Sequence, residues 1–304
     1  MGVCSVIDPK LFTLLKVYET GSFSKASKSL SVTQPAVSQH IRALEEELGV
    51  KLFERGSGTL IVTKEGELTV QFARKMIALN SRLVQELKDR SASIMHLIIG
   101  VTHTAESNPI AESLAQYCSQ NNGVSIKIIT APIKNLYRML KNFELDMIIV
   151  EGRESESDLK FLMLDTDYLV LAVSPNHPFA NRELITLNEM KQERLILRLP
   201  NSGTRNLFVA HLESNNMSIN DFNVILELDN VATIKDLIRR DFGVSILPRS
   251  ACLDELRKGK ICVLPVENLS MIREMNIVYR SDFSQPDILR GIVKSYNETL
   301  RLYK

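Results

Sequence analysis

At 304 residues the chain is too long for a single compact core and points to two or three domains. Apolar residues at 44% and charged residues at 24% are those of an ordinary folded protein and exclude a disordered or low-complexity chain. Residues 1–90 hold 13 Lys+Arg against 10 Asp+Glu and the remainder 24 against 26, so no strongly basic or acidic domain is present and any phosphate-binding surface has to be a local patch.

Cys4, Cys118, Cys252 and Cys262 show no CxxC or metal-ligand spacing, and no charged, apolar, small-residue leader opens the chain. A cytoplasmic location with reduced thiols is expected, with Cys118 and Cys262 packed inside apolar patterns. No apolar run approaches the roughly 20 residues of a membrane span, so no membrane partner is expected.

In chain order, Asp8-Pro9 is an N-cap followed by a first-turn proline, and Leu11, Phe12, Leu14, Leu15 and Tyr18 make an apolar helix to about Thr20. A short helix over 24–30 follows, with Phe23, Ala26 and Leu30 inward, and Ser31-Val32 is left as a turn. Thr33 then caps a second helix carrying Pro35 in its first turn. Val37, Ile41, Leu44 and Leu48 recur at helical spacing as one inward stripe, while Gln34, Ser38, Gln39 and Arg42 project from the other side. Amide, hydroxyl and guanidinium groups set together in this way read base edges in a major groove. Between Thr20 and Leu44 the charges are Lys25, Lys28 and Arg42 with no acid, and the run Glu45-Glu46-Glu47 marks where the helix leaves the phosphates. The pattern is that of a helix-turn-helix, with Ser24, Lys25, Lys28, Thr33, Gln34, Pro35, Ser38, Gln39 and Arg42 as its DNA-binding candidates.

The stretches 50–53 and 59–62 read as a two-stranded wing whose tip, 54–58, places Arg55 to reach phosphate or a minor groove. From 64 to 91 one long helix follows. Its seam is Val70, Ala73, Ile77, Asn80, Val84 and Leu87, widened by Phe72, Met76, Leu79 and Leu83. Such a heptad seam pairs with the same helix of a second copy, and the paired reading helices then require an imperfect palindrome of double-stranded DNA.

Beyond Met95 short apolar runs alternate with helical stretches. Strands are expected at 96–101, 124–130, 146–150, 169–173, 195–199, 223–228, 244–247 and 271–279, and the alternation predicts parallel sheets in an α/β domain. Ligands of such sheets bind beyond the carboxyl ends of the strands, where helix N-termini collect. Two stretches meet that description, Thr102-His103-Thr104 and Asn201-Ser202-Gly203-Thr204-Arg205, and an anionic metabolite would be held well at the second. The pair Asp229-Asn230 reads as a helix cap. The chain shows no GxSxG, HExxH, Walker A or GxGxxG signature, and its five histidines pair with no carboxylate at ligand spacing, so neither catalytic nor metal-binding residues are expected.

The runs LFTLLKVYETGSFSKASKSL, SVTQPAVSQHIRALEEELGVKLFER and LIVTKEGE within residues 8–66 resemble the N-terminal domain of the LysR-type transcriptional regulators. SPNHPFA at 174–180 and DFGVSILP at 241–248 extend the resemblance over nearly the whole chain. It implies a multidomain protein, an all-α winged helix-turn-helix over 1–63 with a long linker helix over 64–92, followed by an α/β two-lobed domain of type 2 periplasmic-binding-protein kind over 93–304. In the family the second lobe interrupts the first, which gives lobe I as 93–164 with 268–304 and lobe II as 165–267. The resemblance also implies a homodimer or homotetramer, a small-molecule inducer rather than a bound cofactor, and contact with RNA polymerase. Thr102 and Thr204 stand at positions that commonly face the inducer in that family, with Ser202, Gly203, Arg205, His103 and Thr104 beside them. The competing reading is an enzyme or solute-binding protein with an appended DNA-binding domain.

Overall fold

The computed structural model describes residues 7–55, 60–92, 94–106, 109–154, 157–267 and 271–303. They fall into two compact units, Met1–Met95 with Lys141–Glu144, and His96–Leu140 with Leu145–Lys304.

The first unit begins with α1 (Pro9–Thr20), whose Asp8 cap accepts the Lys10 N–H at 2.8 Å. It ends on Gly21 at φ 59°, a left-handed position that suits glycine. Ser22 caps α2 (Phe23–Leu30), and Ser31, at φ 55°, turns the chain into α3 (Gln34–Leu48), capped by Thr33. Leu14, Val17, Ala26, Val37, Ile41 and Leu44 meet in one buried core with Leu52, Val70 and Ala73. Leu48, expected inward, is half exposed, because the buried stripe stops one turn before the helix does.

The wing is a pair of antiparallel strands, β1 (Phe53–Arg55) and β2 (Leu60–Val62), with Phe53 opposite Val62. The first strand starts three residues later than expected. The Glu45 side chain causes this, accepting the N–H groups of Leu52 and Phe53 at 2.9 and 3.4 Å and tying the approach to α3. The Arg55 side chain and the tip at 56–59 lie outside the described residues. The long helix α4 (Lys64–Ala92) starts under Thr63, whose hydroxyl accepts the Gly66 N–H at 2.9 Å. Gly66 is required there: a Cβ would stand 2.1 Å from the Leu52 carbonyl oxygen.

The second unit opens with β3 (Met95–Val101), α5 (His103–Glu106), α6 (Ile110–Gln120), β4 (Val124–Thr130), α7 (Ile133–Lys141) and β5 (Met147–Glu151). The chain then runs along β6 (Leu159–Val173) through α8 (Leu187–Met190), β7 (Leu195–Leu197), α9 (Gly203–Ser214), β8 (Val224–Glu227), α10 (Val231–Arg239), β9 (Ser245–Pro248), α11 (Leu253–Arg257) and β10 (Cys262–Leu264). It returns on β11 (Ile272–Arg280) and closes with α12 (Pro286–Arg301).

The large sheet runs β10-β6-β11-β5-β3-β4, with β9 also on β6. The expectation of parallel sheets holds only in part. β3 and β5 are parallel, as are β7 and β8, but β11 is antiparallel to both β5 and β6, and β9 and β10 are antiparallel to β6. Residues 159–168 of β6 pair with β11, whereas 169–173 pair with β9 and β10. One core gathers Leu136, Tyr137, Leu140, Ile148, Val150, Leu159 and Val278. Two others use residues between Leu169 and Met271 only. The domain is thus two-lobed, and β6 carries the chain from one lobe to the other.

Candidate functional site

On the first unit, α3 turns Gln34, Gln39 and Arg42 fully outward and leaves Ser38 half-buried, with Thr33 and Pro35 exposed at its start. Gln34 Nε2 donates to Ser38 Oγ at 3.0 Å, which holds the amide over the first turn. Ser24, Lys25 and Lys28 are exposed on α2. The opposite side of α3 is committed to the fold, since His40 Nδ1 lies 2.9 Å from Thr13 Oγ1 and Val37, Ile41 and Leu44 are buried. The acidic run has structural work: Glu47 pairs with Lys10, and Glu45 pairs with Lys51 at 2.6 Å. Burial pushes the Glu45 carboxyl up, but Lys51 and the Leu52 and Phe53 N–H groups outweigh it and hold the group below the usual carboxylate range.

The second unit carries a cleft with about 550 Å³ of empty space, solvent mouth included. Its walls come from the carboxyl ends of β3, β5 and β7 and the start of α9, and Thr102, His103, Thr104, Ser202 and Gly203 all line it. Glu151, Arg198 and Asp229 line it too.

Thr102 caps α5, its hydroxyl accepting the Ala105 N–H at 3.1 Å and donating to Glu151 Oε2 at 2.8 Å. That hydroxyl's proton is therefore spent on Glu151. Arg198, only 3% exposed, donates from Nη1 to Thr104 Oγ1 at 3.0 Å and from Nε to Asp229 Oδ1 at 3.2 Å. Its Nη2 donates to that same Oδ1. His103 Nε2 stands 3.6 Å from the other Asp229 oxygen. Ser202 caps α9 by accepting the Arg205 N–H at 3.2 Å, and Asn230 caps α10 as expected, accepting the Thr233 N–H at 2.9 Å.

Two of the expected ligand residues do not line the cleft. Thr204 is 1% exposed and accepts from Arg273 Nη1 at 3.4 Å, and Arg205 donates to the Arg198 carbonyl at 3.1 Å and to the Glu227 carboxylate. Beneath the lining, Arg273 Nη2 pairs with Asp167 at 3.2 Å and lies 3.5 Å from Glu151 Oε1.

With this geometry in place, residues 10–67 match the model for the bacterial regulatory helix-turn-helix protein, lysR family, and residues 93–301 match that for the LysR substrate binding domain. The chain belongs to the LysR family. A relative from Methanocaldococcus jannaschii, described as an uncharacterized HTH-type transcriptional regulator, is 28% identical over 90% of this chain and 93% of its own. Full-length CbnR complexed with its target DNA superposes with a TM-score of 0.67 at 17% identity, covering 95% of this chain and 98% of that one. The effector binding domain of QuiR in complex with shikimate gives a TM-score of 0.53 at 20% identity, over 68% of this chain and 95% of that one. The protein is accordingly a LysR-type transcriptional regulator with a substrate-binding domain, and not an enzyme.

In this LysR-type chain Cys118, Cys252 and Cys262, the cysteines among the described residues, are not in the cleft lining. Burial pushes the Cys118 thiol up, and the Cys252 thiol up to about 12, so neither is a ready thiolate. Sequence reasoning passed over Glu151 and Arg198, and it gave Asp229 a share in the cap that Asn230 alone provides. The available signal was a charged residue directly after each of the apolar strand runs ending at Val150, Leu197 and Leu228.

Proposed function

We propose that a small molecule held in the cleft of the second unit changes how this LysR-type regulator binds or bends double-stranded DNA, which α3 reads in the major groove. The observation that carries the reading is the outward face of α3, where Gln34, Gln39 and Arg42 are exposed above a fully packed opposite side. Base-edge chemistry is available there without any rearrangement of the helix. Lys25 and Lys28 add phosphate contacts. The coupling asked of the small molecule is about 1–3 kcal/mol.

The same reading includes association through α4. Val70 and Ala73 of the expected seam pack into the core of their own unit. Leu68, Phe72, Met76, Leu79, Leu83 and Leu87 are exposed at steps of four, four, three, four and four, an apolar stripe suited to a second copy. A homodimer or homotetramer on an imperfect palindrome follows, with lobe I taken as 93–164 and 268–304 and lobe II as 165–267. Contact with RNA polymerase and a cytoplasmic location belong to the same proposal; no helix among the described residues is long and apolar enough to cross a membrane. The target DNA of CbnR and the shikimate of QuiR support the two roles assigned here to α3 and the cleft.

The test is selection of duplexes from a random pool with the full-length chain. Recovery of two symmetry-related half-sites about 10 base pairs, or a multiple, apart is expected. Recovery of no shared sequence would sink the proposal.

A further inference from the structure

The cleft is richer in acceptors than in available cations. Arg198 spends Nε and Nη2 on Asp229 and Nη1 on Thr104, and Arg273 lies beneath the lining between Asp167 and Glu151. A plain carboxylate seeking Arg198 would have to displace Asp229, and anywhere in the cleft it meets a lining where Glu151 and Asp229 outnumber that single guanidinium. Repulsion by those two carboxylates opposes it.

The unspent groups are of two kinds. Glu151, whose side chain is 10% exposed, buries Oε1 with no hydrogen bond on it and only the Arg273 guanidinium, 3.5 Å away, as a counter-charge, while Oε2 is already taken by Thr102. A buried carboxylate oxygen held only by so long an ion pair gains from a further donor. At the opposite pole is the first turn of the 12-residue α9, where the Arg205 and Asn206 N–H groups are satisfied by Ser202. The N–H groups of Gly203 and Thr204 precede any acceptor the helix itself provides. Gly203 adds no bulk, and nothing stands within 4 Å of where its Cβ would be.

We propose that the cleft takes a zwitterion, a free amino acid or a metabolite of amino-acid type. Its ammonium donates to Glu151 Oε1 and Asp229, and its carboxylate rests on the first turn of α9 beside Ser202 and Gly203. The assignment rests on the effector reading above and narrows its ligand from a small molecule of any charge to a species that carries both charges. Thr102 fits the same role, since its hydroxyl can offer a ligand only a lone pair.

The test uses the full-length protein, with thermal shift followed by calorimetric titration. Each common amino acid is compared with its des-amino acid, which keeps the carboxylate and side chain and loses only the ammonium. One amino acid is expected to bind, its des-amino analogue roughly tenfold to a hundredfold more weakly, and Glu151→Gln is expected to lose the same factor while still binding DNA. A des-amino acid that binds as tightly as its amino acid, or a folded Glu151→Gln of undiminished affinity, overturns the zwitterion and leaves the effector reading standing. Absence of binding by every amino acid overturns it as well. The effector reading then fails separately only if a small-molecule extract leaves DNA affinity unchanged.

Discussion

Arg198 places two of its nitrogens, Nε and Nη2, on a single oxygen of Asp229, while its third reaches Thr104 across 94 positions of sequence. The guanidinium is buried and the carboxylate is 39% exposed, so the two partners differ in what they lose when the other is removed. Asp229→Ala strands a buried cation and is expected to destabilise the second unit by about 2 kcal/mol. That is less than the 3–5 typical of a fully buried pair, because water already reaches Asp229. Replacing Arg198 by Met in the same chain should recover part of the loss. Urea titration of both variants checks this, and equal stability of Asp229→Ala and wild type would show that the pair holds nothing together.

Arg42 is exposed two turns into α3 and has no structural duty in the core of its unit. Arg42→Ala is expected to leave the melting temperature within a degree or so and to weaken specific DNA binding by about 1–3 kcal/mol if the guanidinium forks onto a guanine. Fluorescence anisotropy on specific and scrambled duplexes separates the cases. A uniform loss on both would reassign Arg42 to phosphate contact.

Much of the reading device was legible because it is local. Thr33, Pro35 and the Val37, Ile41, Leu44 stripe lie within a dozen residues, and their capping and periodicity survive in the structure. The cleft was half legible for the opposite reason. Thr102 and Ser202 announce themselves as caps at strand-to-helix junctions, but Glu151 meets Thr102 from 49 positions away, and no local pattern encodes that meeting. The first ten residues of β6 were hidden by Asp165 and Asp167, which interrupt an apolar run. The fold satisfies them through Tyr296 at 3.0 Å, Ser250 at 2.6 Å and Arg273 at 3.2 Å, all distant in sequence.

The stripe on α4 gives a prediction about assembly. Leu79 and Leu83 are exposed and one turn apart, beyond the part of α4 buried in its own core. Leu79→Glu with Leu83→Glu is expected to leave the folded content of the chain unchanged and to lower its mass in sedimentation by at least one step, with cooperative DNA binding lost. A variant that sediments as wild type does would move the interface elsewhere.

Glu189 gives a pH signature. The Thr186 N–H, Arg182 and the Thr186 hydroxyl together hold its carboxyl down to about 2 from an ordinary 4.5. A lowered folded value means the stabilisation is complete above pH 4.5 and disappears as the pH falls through about 2. Glu189→Gln should therefore lie below wild type at neutral pH and converge on it at the acid end. Parallel curves across that window would rule out the linkage.

Two glycines near helix starts separate fold from function. At Gly66 a Cβ would fall 2.1 Å from the Leu52 carbonyl oxygen and 2.8 Å from Val62 Cγ2, so Gly66→Ala has to shift α4 against the wing. A loss of about 1–3 kcal/mol is expected, by analogy with overpacking. At Gly203 the added methyl meets nothing within 4 Å, and alanine leaves the unfolded chain less freedom to lose on folding, so Gly203→Ala should be neutral or stabilising by about 0.5 kcal/mol. The space it fills is cleft space, however, beside the first turn of α9. The expected result is a variant that melts no lower than wild type, binds DNA normally and responds less to whatever small molecule the regulator takes. Full response in Gly203→Ala would place the ligand away from α9, and a lowered melting temperature would show that the open space around Gly203 is not open in solution.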